Sequence, residues 1–388
     1  MLIIFKEIFM KIIMISPYFP PDKSVASIRM GSLYKYLVSK GHTVYVITNY
    51  KNIDDMEHVS FVREKQSNSV LNKLSSFREN RLSYYNVLSE VMKKFDCDII
   101  LISGGPFYTF NLTEYIKKMG KLSVLDFRDP WVFDIRGLKD LLSFKRIIAR
   151  CIQLPYERNA IKYSTGVVSV SPGWINKFKL FYPFQKNKFK LIENGYNDST
   201  NLNRNIGKTN IDFQIGIFGK LFYYSEKYSN IFLQALKENQ QIKVLQIGNR
   251  EENTDELLDK YDLSHDTIIS TGFIDYEDGL KALMSSKFLL LIDNRKDAIG
   301  TKIYDYIFLN KPIIYIGPSK TYLAKMISSF QNGFSCASKI EILEAIKKIM
   351  NNNITNLDNN INVYQYGRSC RNQEYEKYLE RIIKNEKW

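Results

Sequence analysis

Residues 287–317 read KFLLLIDNRKDAIGTKIYDYIFLNKPIIYIG, and this stretch decides the fold class. An apolar run from Phe288 to Ile292 has the length of a strand. A glycine turn follows, then a helix opening at Thr301 and closed by Lys311-Pro312, then a second apolar strand to Gly317. Strand, helix and strand in this order form an α/β unit whose strands run parallel. The turn has chemical content as well. A helix N-terminus carries unpaired backbone N–H groups and a partial positive charge, so it binds phosphate. Asp305, one turn into the helix, would accept hydrogen bonds from ribose hydroxyls, and Asp297, just outside it, would reach a sugar beyond the phosphates. The stretch reads as a sugar-nucleotide site. A Gly-Thr helix start after a buried strand also occurs in any α/β domain, and two acids eight positions apart arise by chance, so this segment alone leaves both readings open.

Outward from it, the same alternation continues. Strands are predicted at 11–16 (KIIMIS), 43–48 (TVYVIT), 98–103 (DIILIS), 122–127 (LSVLDF), 166–171 (GVVSVS) and 189–194 (FKLIEN) in the first half. In the second half they fall at 213–219 (FQIGIFG), 243–248 (KVLQIG), 267–273 (TIISTGF), 287–292 and 312–317. Between the halves, 195–210 (GYNDSTNLNRNIGKTN) is polar and turn-rich and reads as a linker. A helix over 371–384 follows an Asn-rich stretch at 351–362. The expected organisation is a domain at 1–198, a second at 199–365, and a C-terminal helix at 366–388 packing back toward the first. Ligands of such domains lie at the carboxyl ends of their strands.

A chain of 388 residues with 45% hydrophobic and 25% charged residues is a globular protein of two ordinary domains. No apolar run approaches the roughly 20 residues that span a bilayer. The opening MLIIFKEIF lacks a basic start and a cleavage site, and a cleaner strand begins after Met10, so residues 1–9 read as an upstream extension. The four cysteines, Cys97, Cys151, Cys336 and Cys370, have neither metal-ligand nor disulfide spacing and fit a reducing cytoplasm. With only three histidines, a histidine metal site or triad is not expected. Asp96-Cys97-Asp98 has the form of a metal-binding DxD, but it precedes a strand and so lies at the wrong edge of the sheet.

The net charge of +14 is uneven: residues 136–190 hold twelve Lys and Arg against Asp140 and Glu157. Apolar residues interleave with them, among them Leu141, Phe144, Ile147, Ile148, Leu180, Phe181 and Phe184. A basic helix with an apolar face rests on an anionic membrane leaflet, at about 1 kcal/mol for each basic residue near the surface. The alternative is a solvated face whose apolar stripe packs on the core. Nucleic acid is not the expected partner, since no binding motif accompanies the charge. No GxGxxG follows the first strand, which argues against a nicotinamide enzyme.

Taken in order, PYFPPD, GHTVYVIT, SGGPF (103–107), DFRDPW (126–131), VSVSPGW and TKIYDYIFLNKPII resemble bacterial glycosyltransferase family 4, in the branch that builds surface polysaccharides. The resemblance covers nearly the whole chain. It implies the GT-B fold, two Rossmann-like domains with parallel sheets facing across a cleft, with the nucleotide on the C-terminal domain and the acceptor on the N-terminal one. It also implies transfer with retention of configuration, without a metal or other cofactor. The donor would be a nucleoside-diphosphate sugar and the acceptor a hydroxyl on a lipid-linked glycan.

By the same resemblance, Lys220 and Lys227 hold the leaving diphosphate, stabilising charge as it develops. Gly300 and Thr301 offer amides to phosphate, and Lys302 adds charge or caps a carboxylate. Asp297 and Asp305 stand where the family has paired glutamates, each one methylene shorter. Arg128 and Asp129 lie where other members carry acceptor-side catalytic groups. Asp129 would orient an acceptor hydroxyl, and Arg128 would contact phosphate or hold Asp129 in a bidentate pair. Arg29 on the first helix is a further anion-binding candidate. A sugar-nucleotide epimerase or hydrolase, and a non-catalytic partner subunit, are the rival functions.

Overall fold

The computed structural model describes residues 9–49, 57–65, 70–133, 143–200 and 213–384, and side chains from residue 75 onward in the helix that opens at Val70. Most of the predicted extension, the linker from residue 201 and the basic residues Arg136 and Lys139 fall outside these. The chain divides into two compact units, residues 1–194 with 368–388 and residues 195–367.

The first unit carries β1 (Lys11–Ile15), α1 (Val25–Ser39), β2 (Thr43–Thr48), β3 (Val59–Phe61), α2 (Val70–Lys94), β4 (Ile99–Ser103), α3 (Thr113–Lys118) and β5 (Leu122–Phe127). It continues with α4 (Phe144–Tyr163), β6 (Gly166–Ser169), α5 (Pro172–Phe181) and β7 (Phe189–Leu191). Its seven strands are all parallel, in the order β3-β2-β1-β4-β5-β6-β7. The second unit holds β8 (Ile215–Phe218), α6 (Glu226–Lys237), β9 (Val244–Ile247), α7 (Thr254–Lys260), β10 (Ile268–Ser270), α8 (Tyr276–Met284) and β11 (Phe288–Ile292). Then come α9 (Lys302–Leu309), β12 (Ile313–Ile316), α10 (Tyr322–Ser328), β13 (Gly333–Cys336) and α11 (Lys339–Asn351). Its six parallel strands run β10-β9-β8-β11-β12-β13.

All eleven predicted strands are present. Their apolar runs are continuous because helices cover both faces of a parallel sheet. Side chains of β11 alternate between two cores: Phe288, Leu290 and Ile292 join Phe232 and Ile346, while Leu289 and Leu291 join Ile303 and Leu323. β12 alternates in register with it, Leu290 opposite Ile314 and Leu291 opposite Tyr315. The strands the sequence did not announce, β3 and β13, are edge strands, and their residues are mostly half-exposed. An edge strand has one neighbour and little burial, so it needs no apolar run.

A final helix, α12 (Arg368–Ile383), packs on the first unit. Tyr375, Tyr378, Leu379 and Ile382 enter the core formed by Ile12, Met30, Leu33 and Val168. Asn372 donates to the Ser32 carbonyl, and Tyr36 donates to Glu376 at 2.8 Å.

In each sheet the order turns outward in two directions from one central pair: β1 and β4 in the first unit, β8 and β11 in the second. At such a switch point the two flanking loops diverge and leave a crevice at the carboxyl ends of the strands. The loops after β8 and β11 are therefore the place to look for a phosphate site.

Candidate functional site

At the end of β8 the chain turns through Gly219, whose φ of 74° falls in the left-handed region. Gly248 ends β9 with φ 134°, and a Cβ on it would stand 3.3 Å from the Gly219 Cα. The two loops cross backbone to backbone, which only glycine allows at Gly248. Glu251 then fastens the β8 loop, accepting from Leu221 N at 2.6 Å and Phe222 N at 3.0 Å.

Two cations meet over this loop, and a third lies near them. Lys302, the first residue of α9, reaches back so that Nζ donates to the Lys220 carbonyl at 3.3 Å and lies 5.5 Å from the Tyr224 ring centre. Arg295 stacks on the same ring at 4.7 Å. Its guanidinium forks the buried Asp293 carboxylate, Nε to Oδ1 at 3.0 Å and Nη2 to Oδ2 at 2.6 Å. Nη2 lies 3.1 Å from where a Cβ on Gly300 would be, so side chains larger than glycine crowd the guanidinium. Lys220 is exposed, with Nζ 4.2 Å from the Tyr223 ring centre. Burial pushes the Lys302 ammonium down to about 8; Asp293 and Glu251 oppose that shift, while Arg295 and Lys220 reinforce it.

Thr301 stands at the N-cap of α9, but its backbone is already helical (φ −69°, ψ −29°) and its side chain makes no capping bond. The first-turn amides of α9 thus receive no cap from Thr301, beside two cations. The helix ends at Asn310, in the left-handed region with φ 49°, one residue before the expected Lys-Pro stop. Asp305 lies in the first turn of α9, buried at 9% exposure, and its Oδ1 accepts from the Tyr276 hydroxyl at 2.5 Å. Asp297 is half-buried in the loop between Arg295 and Gly300. Lys227 lies on the first turn of α6, exposed, with Nζ 5.2 Å from the Tyr228 ring centre. The structure thus gathers Lys220, Gly300, Thr301 and Lys302 at one strand edge, while the charges acting on Lys302 are those of Asp293, Glu251, Arg295 and Lys220. The sequence reading missed Arg295, Asp293, Tyr224, Glu251 and Tyr276. Arg295 lies two residues before Asp297 in the opening stretch, where its charge was visible but its direction was not.

In the first unit Arg29 is not an open anion site. Nε donates to Asp126 at 3.0 Å, Nη1 to the Glu193 carbonyl at 3.0 Å and Nη2 to the Ile192 carbonyl at 3.0 Å. Tyr375 of α12 donates to the same Asp126 oxygen at 3.2 Å. Arg29 is thus a buried clamp joining α1, β5 and the end of β7. Arg128 does not fork Asp129; its Nη2 donates to the Gly104 carbonyl at 2.9 Å. Burial lowers its pKa, and its Nε is enclosed without a hydrogen-bond partner. Asp129 is exposed beside it. The loop after Asp129 is fixed by Glu157 on α4, which accepts from Val132 N at 2.8 Å and the Tyr182 hydroxyl at 2.5 Å. Burial pushes the Glu157 carboxyl up to about 7.

The Asp96-Cys97-Asp98 triplet has other work. Asp96 pairs with Lys121, and Asp98 Oδ2 accepts from Lys11 N at 2.7 Å, before β4 begins. Among the described residues no helix is long and apolar enough to cross a membrane. The described part of the basic region splits in two. Lys188 donates to the carbonyls of Ile161, Lys162 and Ser164 at the end of α4, and burial lowers its pKa to about 8. By contrast Phe144, Ile147, Ile148, Ile152, Leu180 and Phe184 are exposed, so this apolar stripe does not pack on the core.

Comparison with known proteins accords with this architecture. The family model described as Glycosyltransferase Family 4 matches residues 26–200. The fold is that of the GT-B glycosyltransferases. A glycosyltransferase from Rickettsia africae is 15% identical, with a TM-score of 0.63 over 97% of this chain and 99% of its own. Anabaena Alr3699/HepE, crystallised with UDP and glucose, is 14% identical with a TM-score of 0.63, over 96% of this chain and 99% of its own. A UDP-GlcNAc 2-epimerase from Methanocaldococcus jannaschii is 12% identical with a TM-score of 0.59, over 96% of this chain and 99% of its own. No curated protein sequence matches the chain.

Proposed function

We propose that this GT-B chain transfers a sugar from a nucleoside-diphosphate donor to a hydroxyl on a glycan. The observation that carries the reading is the meeting of Arg295 and Lys302 on the Tyr224 ring, with Lys220 close enough to act on Lys302, at the β8/β11 switch point beside the start of α9. A nucleoside diphosphate set there would place its phosphates against the α9 amides and these cations. Charge that develops on the leaving diphosphate as the glycosidic bond breaks would be met by donors already in position. Lys227 adds charge from α6, Asp305 serves the ribose, and Asp297 the sugar.

The first unit would present the acceptor. Asp129, exposed at the end of β5 on a loop held by Glu157, orients the attacking hydroxyl. Arg128, whose Nη2 is anchored on the Gly104 carbonyl, contacts phosphate on the acceptor side. Transfer proceeds with retention, the leaving phosphate taking the acceptor proton, without a metal. The acceptor is a lipid-linked glycan of a surface polysaccharide, reached from the cytoplasmic face of the membrane. The exposed apolar side chains of α4 and α5, set among lysines and arginines, support this peripheral attachment.

A thermal-shift panel of UDP, GDP, ADP, CMP and dTDP tests the donor site. A rise with one diphosphate that Lys220→Ala abolishes is expected. No rise with any nucleotide would overturn the reading and turn attention to a non-catalytic partner role. Release of free nucleotide from the sugar donor without any glycan would favour the epimerase or hydrolase reading.

A further inference from the structure

We propose that Tyr276 is a specificity residue of the nucleotide site, reading the ribose 2′-hydroxyl in partnership with Asp305. This rests on the nucleoside-diphosphate reading above. Tyr276 opens α8, directly after the loop that follows β10, and Asp305 lies in the first turn of α9 after β11. Parallel strands bring both helix starts to the same carboxyl edge, the edge that also carries Lys220, Arg295 and Lys302. Asp305 by itself is poorly placed to meet a ligand: it is 9% exposed, and an aspartate reaches one methylene less than a glutamate. The Tyr276 ring is only half-buried and is steadied by Phe218 at 5.9 Å.

The hydrogen bond fixes the polarity of the pair. A tyrosine hydroxyl has one proton and two lone pairs. Here the proton points to the Asp305 carboxylate, at 2.5 Å. The phenolic oxygen thereby becomes an acceptor whose electron density the carboxylate raises, and a hydroxyl is the ligand group that donates to it. Tyr276 extends the reach of the shortened acid from the buried turn to the edge where a ribose would lie. A staple holding α8 to α9 would need the same bond, so the test has to separate recognition from packing.

The experiment compares ribo- and 2′-deoxyribonucleoside diphosphates (UDP with dUDP, GDP with dGDP, ADP with dADP) by calorimetry on the full chain, wild type and Tyr276→Phe. Wild type is expected to bind the ribo form about tenfold more tightly, the size of one charge-assisted hydrogen bond. Tyr276→Phe, which keeps the ring and its packing, should bring the ribo/deoxy ratio close to one while leaving the deoxy affinity unchanged. Equal weakening of both forms would show a packing staple and overturn the proposal. A wild type that does not discriminate would overturn it too. Absence of binding by every diphosphate in the wild type would refute the donor site itself, a separate result from failure of the Tyr276 ratio.

Discussion

Replacing Lys302 by methionine tests the donor site through stability before any substrate is known. The folded protein lowers the Lys302 pKa from the usual 10.5 to about 8, chiefly by burial. For a cation, a lowered folded pKa means that the charged form opposes folding. A gap of roughly 2.5 between folded and unfolded values makes this cost about 3 kcal/mol at pH 7, where the lysine is charged in both states. Between pH 8 and 10.5 the unfolded chain binds the extra proton, so stability rises with pH. The cost then falls to about 2 kcal/mol at pH 9 and below about 1 kcal/mol at pH 10. Methionine fills a similar volume without charge. It forfeits the hydrogen bond to the Lys220 carbonyl, about 1 kcal/mol, so a net gain of about 2 kcal/mol is expected at pH 7. Urea unfolding followed by circular dichroism at pH 7, 9 and 10 measures it. Tryptophan fluorescence is the control, since all three tryptophans, Trp131, Trp174 and Trp388, belong to the first unit and should report no change. The variant should also lose the nucleotide-induced thermal shift. A Lys302→Met protein less stable than wild type at pH 7, or a difference independent of pH, would refute the account of a cation held there at a cost to folding.

Asp305→Ala should cut sugar transfer by at least about a hundredfold, since it removes a buried carboxylate and deprives the Tyr276 hydroxyl of this acceptor; a wild-type rate would remove Asp305 from the site. Glu157 has a raised folded pKa of about 7, so its ionisation destabilises the fold as pH climbs from its usual 4.5 through 7. Glu157→Gln should therefore be more stable than wild type at pH 8, by up to about 3 kcal/mol, with the gap closing at pH 5; thermal melts at both values check the sign. Replacing the exposed Phe144, Leu180 and Phe184 by serine should abolish co-sedimentation with phosphatidylglycerol vesicles while leaving the melting temperature within about 2 °C, as surface changes do. Retained binding would dissociate this face from the membrane. Gly248→Ala should destabilise the second unit by more than about 1 kcal/mol, because φ 134° strains an L side chain and a Cβ would press on the Gly219 backbone at 3.3 Å; an unchanged urea midpoint would refute the close crossing of the two loops.

The apolar runs that became strands were readable because a doubly covered parallel sheet buries every residue of its central strands, as in FLLLI and IILIS. β3 and β13 were silent because an edge strand is only half-buried. The Gly300-Thr301 turn and the α9 start were likewise local: an apolar strand, a glycine and a helical period of about 3.6 residues suffice to place them. Arg29 could not be assigned from its own neighbourhood. Its ion partner is Asp126, and the carbonyls it holds belong to Ile192 and Glu193, all remote in sequence. The same holds for Tyr276 and Asp305, joined across two helix starts.

Local pattern alone thus carries the α/β class, the strand ends and the glycine turn that opens α9, because each depends on residues within a few positions of one another. Which cations share a site is a different matter. Arg295 and Lys302 meet on Tyr224, beside Lys220, because the strand order puts β8 next to β11, and because Glu251 and Asp293 fix the loops between them. Strand order is a long-range choice, made by the packing of whole layers, and no window of sequence contains it.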